Sequence, residues 1–131
     1  MERSDVYQWP LNSGPLTFDF SDLESGTGIA ALRLPPGAVV TRGSVVVQTV
    51  WNSGTSATLK VGDDDDDDRY TSSAIDLTSA GRTALDLDGH QYAAPQDLEL
   101  LLTEAGSAAT EGEAYIELEI VMDGRVSESV T

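Results

Sequence analysis

The sequence predicts a single all-β domain, and three observations carry that prediction. Apolar and polar side chains alternate with a period of two in several segments, turn residues recur at short and fairly even intervals, and no segment sustains a helical period. Alternation of this kind marks a strand with one buried and one wet face.

Taken in chain order, residues 16–20 (LTFDF) and 29–34 (IAALRL) are weak strand candidates. The run SVVVQTVW, residues 44–51, is rich in β-branched side chains and nearly continuous, so it is expected to be a central strand covered on both faces, with Trp51 plugging an end of the core. In residues 57–61 Ala57, Leu59 and Val61 face inward; residues 74–77 form a short candidate; Leu85 and Leu87 alternate with Asp86 and Asp88. Leu98, Leu100 and Leu102 repeat the pattern. In the closing strand Ala114, Ile116, Leu118 and Ile120 point one way and Glu113, Glu117 and Glu119 the other. Residues 103–113 come nearest to a helix, but Gly106 and Gly112 interrupt them and they read as a loop. Turn signals separate the strands at Pro35-Pro36-Gly37, Arg42-Gly43, Asn52-Ser53-Gly54, Ala80-Gly81, Asp88-Gly89, Gly106-Ser107 and Asp123-Gly124. About seven or eight short strands so separated mean a sandwich, a jelly roll or a barrel. The expected organisation is an extended N-terminal arm over residues 1–15, a β-sandwich over 16–125 and a flexible C-terminal tail over 126–131.

A chain of 131 residues is long enough to bury a core without staples, and with no cysteine it has no disulfide, thiolate metal site or cysteine nucleophile. No apolar run reaches the length of about 20 residues that crosses a bilayer, and MERSDVYQWPLNSG lacks the pattern of a secretion signal, so a soluble protein is expected. The 23 acidic residues against 7 basic ones give a formal net charge of -16, and Lys60 is the only lysine. Such a surface repels phosphate backbones and anionic lipid heads, which makes nucleic acid and membranes poor partners. The 40% apolar content argues against disorder and places the charge on the outside of a packed body. Repulsion among these carboxylates is screened in concentrated salt, and the composition resembles that of proteins from haloarchaea and their viruses.

The aspartates Asp63, Asp64, Asp65, Asp66, Asp67 and Asp68 are a candidate site for Ca2+ or another hard cation, which takes six to eight oxygens. A calcium loop, however, spaces its ligands at alternate positions around a glycine, and here Gly62 precedes the run. The plainer expectation is a solvated hairpin tip between strands ending at Val61 and starting near Tyr70. His90, the only histidine, is expected at the surface, since no GxSxG elbow offers it a nucleophile. Neither a glycine-rich phosphate loop nor a histidine pair is present, so no nucleotide or zinc site is supported and no cofactor is expected. No catalytic residue is assigned. In an oligomeric shell, Tyr7, Trp9 and Leu11 of the arm would anchor on a neighbour, and Val39 and Val40 are read as apolar loop residues of the same interface.

Over residues 28–125 the order of motifs resembles a group of small virion proteins encoded by tailed viruses. The residues that carry the resemblance are LPPGAVVTRGSVVV (34–47), VGDDDDDDRY (61–70), TSAGRTAL (78–85) and the closing strand ending Asp123-Gly124-Arg125. The resemblance implies a jelly-roll-like β-sandwich without enzymatic activity that decorates or cements the capsid surface. It would contact the major capsid protein, often as a trimer at the junctions of the shell. The long aspartate run and the scarcity of lysine depart from the group and suit a haloarchaeal tailed virus. The motifs mark turns and core strands, so no functional residue is carried over. The competing expectation is a tail- or turret-associated module that binds host glycans through Tyr70, Tyr92 or a tryptophan.

Overall fold

The computed structural model describes residues 11–122. Among them every regular element is a strand: β1 (Leu11–Asn12), β2 (Leu16–Asp19), β3 (Gly28–Leu34), β4 (Ala38–Thr49), β5 (Ser56–Gly62), β6 (Ile75–Asp76), β7 (Gly81–Ala84), β8 (Gln96–Ala105) and β9 (Glu113–Met122). β1 and β2 both pair with β9 and behave as one strand interrupted at Ser13. The break is bridged by that serine, whose backbone N–H donates to the Leu118 carbonyl at 2.9 Å while its hydroxyl accepts from the Leu118 N–H at 3.0 Å. Of the stretch expected to be an extended arm, residues 1–15, Leu11 and Asn12 pair with β9 at the sheet edge.

All pairings are antiparallel, and they nest. β2 pairs with β9, β3 with β8, β4 with β7 and β5 with β6, so the chain is one long hairpin ribbon closed at β5 and β6. Two further pairings, β4 with β9 and β5 with β8, fold that ribbon over itself into one sheet of order β2-β9-β4-β7 and another of order β3-β8-β5-β6. A ribbon of nested pairs wrapped into two facing sheets is an eight-stranded jelly roll. The expected sandwich is present.

The core lies between the sheets. Val45, Val47, Ile116 and Leu118 come from one side and Leu59, Val61, Leu98, Leu100 and Leu102 from the other, each at most 3% exposed. Each such side chain contributes roughly 1.5–3 kcal/mol on burial. The alternation read in β5, β8 and β9 holds at every apolar position named for them. Trp51 closes one end of the core, its ring tilted against Phe18 at 6.0 Å.

Four expectations change. β4 is central within its sheet, but only one of its faces is fully covered: Val45 and Val47 are buried, while on the other face Ser44 is buried, Val46 is half-buried and Gln48 is exposed. Leu85 and Leu87 do not belong to a strand, since β7 ends at Ala84; Leu85 turns into the core and Leu87 is 39% exposed. The loop expected from Thr103 begins only after Ala105, where β8 ends. Val39 and Val40 are not loop residues. They lie in β4, and an irregularity between Val40 and Arg42 shifts the phase of that strand so that Ala38 and Val40 face inward alongside Val45 and Val47.

Candidate functional site

Two features could do more than hold the fold: the aspartate loop after β5 and the edge of the sandwich where β2 and β3 run beside each other.

The loop is built around Asp63, which is 1% exposed rather than solvated. Its Oδ2 accepts hydrogen bonds from Arg69 Nε at 2.6 Å and the Tyr92 hydroxyl at 2.7 Å. Its Oδ1 accepts from the backbone N–H groups of Asp65 at 3.0 Å and Asp66 at 2.9 Å. The hydroxyls of Tyr70 and Tyr92 are 2.7 Å apart and complete the network. Burial pushes the Asp63 carboxyl up, but the hydrogen bonds from Arg69, Tyr92 and Asp66 and the guanidinium charge outweigh it and hold the group below its ordinary value. The bond to Asp63 in turn raises Arg69, and burial raises both tyrosines. Gly62 permits the tight return of the chain, because a Cβ there would lie 2.2 Å from the Asp66 carbonyl oxygen. No strand starts near Tyr70. The backbone N–H of that residue donates back to the Val61 carbonyl at 2.9 Å, so the segment is a compact loop tied to β5.

The six aspartates therefore do not act as one set. Asp63 is committed inward; Asp64, Asp65, Asp67 and Asp68 are exposed; and Asp66, Asp67 and Asp68 each bring a carboxylate oxygen within 4.8 Å of the others. Bound through one oxygen each, three such groups would leave at least half the coordination of a calcium ion to other oxygens. His90 is half-buried, with its ring edge-on to Tyr92 at 4.7 Å. Tyr70, Tyr92 and Trp51 are each at most 3% exposed, so none of them forms a surface platform for a sugar.

Of the expected interface residues, Tyr7 and Trp9 lie outside the described residues. Leu11 is 46% exposed, Val39 is half-buried, and Val40, at 2% exposed, is packed in the core.

The second feature was missed in the sequence. β2 and β3 are the edge strands of their sheets on the same side of the sandwich, and between them opens a groove of about 510 Å³. Its lining is mixed: Leu16, Phe18, Leu23, Ile29 and Ala31 alternate with polar groups that include Thr17 and Asp22. The signal that could have found it is the composition of β3, GIAALRL, which is apolar except for Arg33. Edge strands are usually guarded by charge or proline.

No family model matches the sequence, and no curated protein does. Several solved structures share the fold, three of them from phage capsids. One is described as the acidic stable capsid structure of Helicobacter pylori bacteriophage KHP30, with a TM-score of 0.65 at 13% identity over 86% of this chain and 87% of that one. A second is the cyanophage Pam1 capsid asymmetric unit, with a TM-score of 0.66 at 15% identity over 86% of this chain and 84% of that one. The third is the capsid of Ralstonia phage GP4, with a TM-score of 0.60 at 15% identity over 86% of each. The likeness is one of fold, spans nearly the whole described chain, and takes in most of each matched chain.

Proposed function

We propose that this protein is a structural, non-enzymatic component of a tailed-virus particle, lying on the capsid surface and decorating or cementing the shell. Its partners in this reading are the major capsid protein and further copies of itself, with the trimer as the favoured assembly. The observation that carries the reading is the likeness of this jelly roll to chains from three phage capsid structures over 86% of its length.

The physics of the fold suits the role. A cement protein needs a rigid body placed many times on a shell, because repeated placement adds avidity without any strong single contact. In brine, charge steering is screened, and the contacts that persist are apolar and hydrogen-bonded. A haloarchaeal virus as the source fits the net charge of -16. Tyr70, Tyr92 and Trp51 are internal, which leaves Trp9, outside the described residues, as the aromatic on which the glycan-binding alternative would have to rest.

The test is to add the purified full-length chain to virus heads stripped of it and sediment the mixture in molar salt. Saturable binding to heads is expected, with no signal on a glycan array. Binding confined to isolated tails would remove the proposal.

A further inference from the structure

The outer face of the β2-β9-β4-β7 sheet carries a polar cleft of about 250 Å³, whose lining includes Arg42, Ser44, Arg82, Glu117 and Glu119. Arg42 and Glu119 form a loose ion pair at 3.7 Å. The other polar groups are unmatched. Arg82 is the one arginine among the described residues with no ion pair, in a chain where 23 acidic residues stand against 7 basic ones. Glu117, half-buried, has no hydrogen-bond or ion-pair partner for its carboxylate among those residues. Ser44, 3% exposed, lines the same cleft, and its hydroxyl makes no hydrogen bond among them either. We infer that this face meets a second copy of the chain, with Arg82 of each copy paired to Glu117 of the other. This rests on the self-association proposed above and names one contact within it.

Register and charge select the occupant. β4 stands between the two groups: Glu117 is opposite Ser44 on one side and Arg82 is opposite Val46 on the other, which sets their Cα atoms roughly 12 Å apart. A two-fold axis lying in the face and crossing β4 midway between them exchanges their positions, so each copy's arginine lies over the other's glutamate. That is the self-complementarity an isologous interface requires, and it links copies in pairs, whether free or within the proposed trimer. A wholly acidic partner would answer Arg82 but meet Glu117 and Glu119, and a basic one would answer the glutamates but meet Arg42 and Arg82. A second copy answers both. Arginine and carboxylate can share two hydrogen bonds, and a pair closed between two faces is screened by salt far less than an open one. The repulsion between whole bodies of charge -16 is screened, so brine favours the contact. Val46 and Tyr115, opposite each other in the next row and half-buried, add apolar area.

The test is sedimentation equilibrium of the full-length chain in molar salt. The parent is expected to self-associate. Arg82→Glu or Glu117→Arg should each weaken association by about tenfold or more, since either change sets like charges face to face twice. Mixed in equal amounts, the two single variants should associate with each other, and the chain carrying both changes should associate with itself, because opposite charges face again. Arg82→Gln and Glu117→Gln, which remove charge without reversing it, should weaken association less and serve if a reversal lowers the thermal midpoint. A parent chain that stays monomeric overturns the inference. So do single variants that associate like the parent, or a loss that neither the mixture nor the doubly changed chain restores. A chain that binds stripped heads but does not pair loses only this contact; one that pairs but ignores heads loses only the shell assignment.

Discussion

Asp63 keeps its charge inside the protein because five donors, two of them on the Arg69 guanidinium, replace the water it gave up, while Asp64, Asp65, Asp67 and Asp68 face solvent. Removing the charge leaves Arg69, 13% exposed, with only its looser ion pair to Asp88 at 3.8 Å. Asp63→Asn is therefore expected to cost about 2–4 kcal/mol in urea unfolding, with Asp65→Asn close to neutral as the control. The pH dependence follows from the same group. Its folded value lies below the ordinary 3.8, so its contribution is complete above that pH and disappears as pH falls through the lower folded value. Glu99 works in the other sense: burial, with the charges of Asp64 and Asp97, raises it above 4.5, so its ionised form opposes folding at neutral pH and protonation relieves it. The thermal midpoint should rise slightly from pH 7 towards about 5 and fall steeply below 3.8, and Asp63→Asn should blunt that fall. A flat acid limb in the parent chain would contradict this. Six identical letters concealed the difference between Asp63 and the rest. The adjacent Arg69 was a local signal, but Tyr92, 29 positions away, could be placed beside Asp63 only by the fold.

At the scale of elements, the sequence reading succeeded where one strand keeps one phase. β5, β8 and β9 alternate without interruption, and their inward residues were legible. β4 changes phase near Thr41, so the residues on either side of the irregularity obey opposite parities and Val40 could not be assigned by counting back from Val45. Leu85 and Leu87 imitate a strand, but the chain has already left the sheet: the Asp86 N–H donates to the Tyr70 carbonyl at 2.8 Å, and the Asp86 carboxylate accepts from Ser72. Loop geometry won over alternation there. The loop entering β9 depends on Gly112, whose φ of 154° and position beneath Trp51 exclude a side chain. A Cβ at that site would lie 2.4 Å from the indole ring. Gly112→Ala is expected to lose about 2–3 kcal/mol in chemical unfolding and to shift the Trp51 fluorescence, whereas Gly26→Ala meets no atom and should cost less.

For the whole molecule, strand number and sheet character could be read from local pattern, but the nested pairing that makes the jelly roll could not. β2 meets β9 across nearly the full chain, and nothing in either segment names the other. The groove escaped notice for the same reason, since it exists only where two sheet edges distant in sequence come together. The net charge of -16 acts on the whole body too. Raising sodium chloride from 0.1 to 2 M is expected to add about 1–2 kcal/mol of stability and several degrees to the thermal midpoint; greatest stability in dilute buffer would contradict the proposed adaptation to salt. The central claim, a jelly roll fixed to a viral shell, is tested most directly by a density map of the particle that carries the protein. The map should show two facing four-stranded sheets on the outer surface of the head, at junctions between major capsid protein subunits. Density for this chain found solely in the tail, or nowhere on the head, would contradict it.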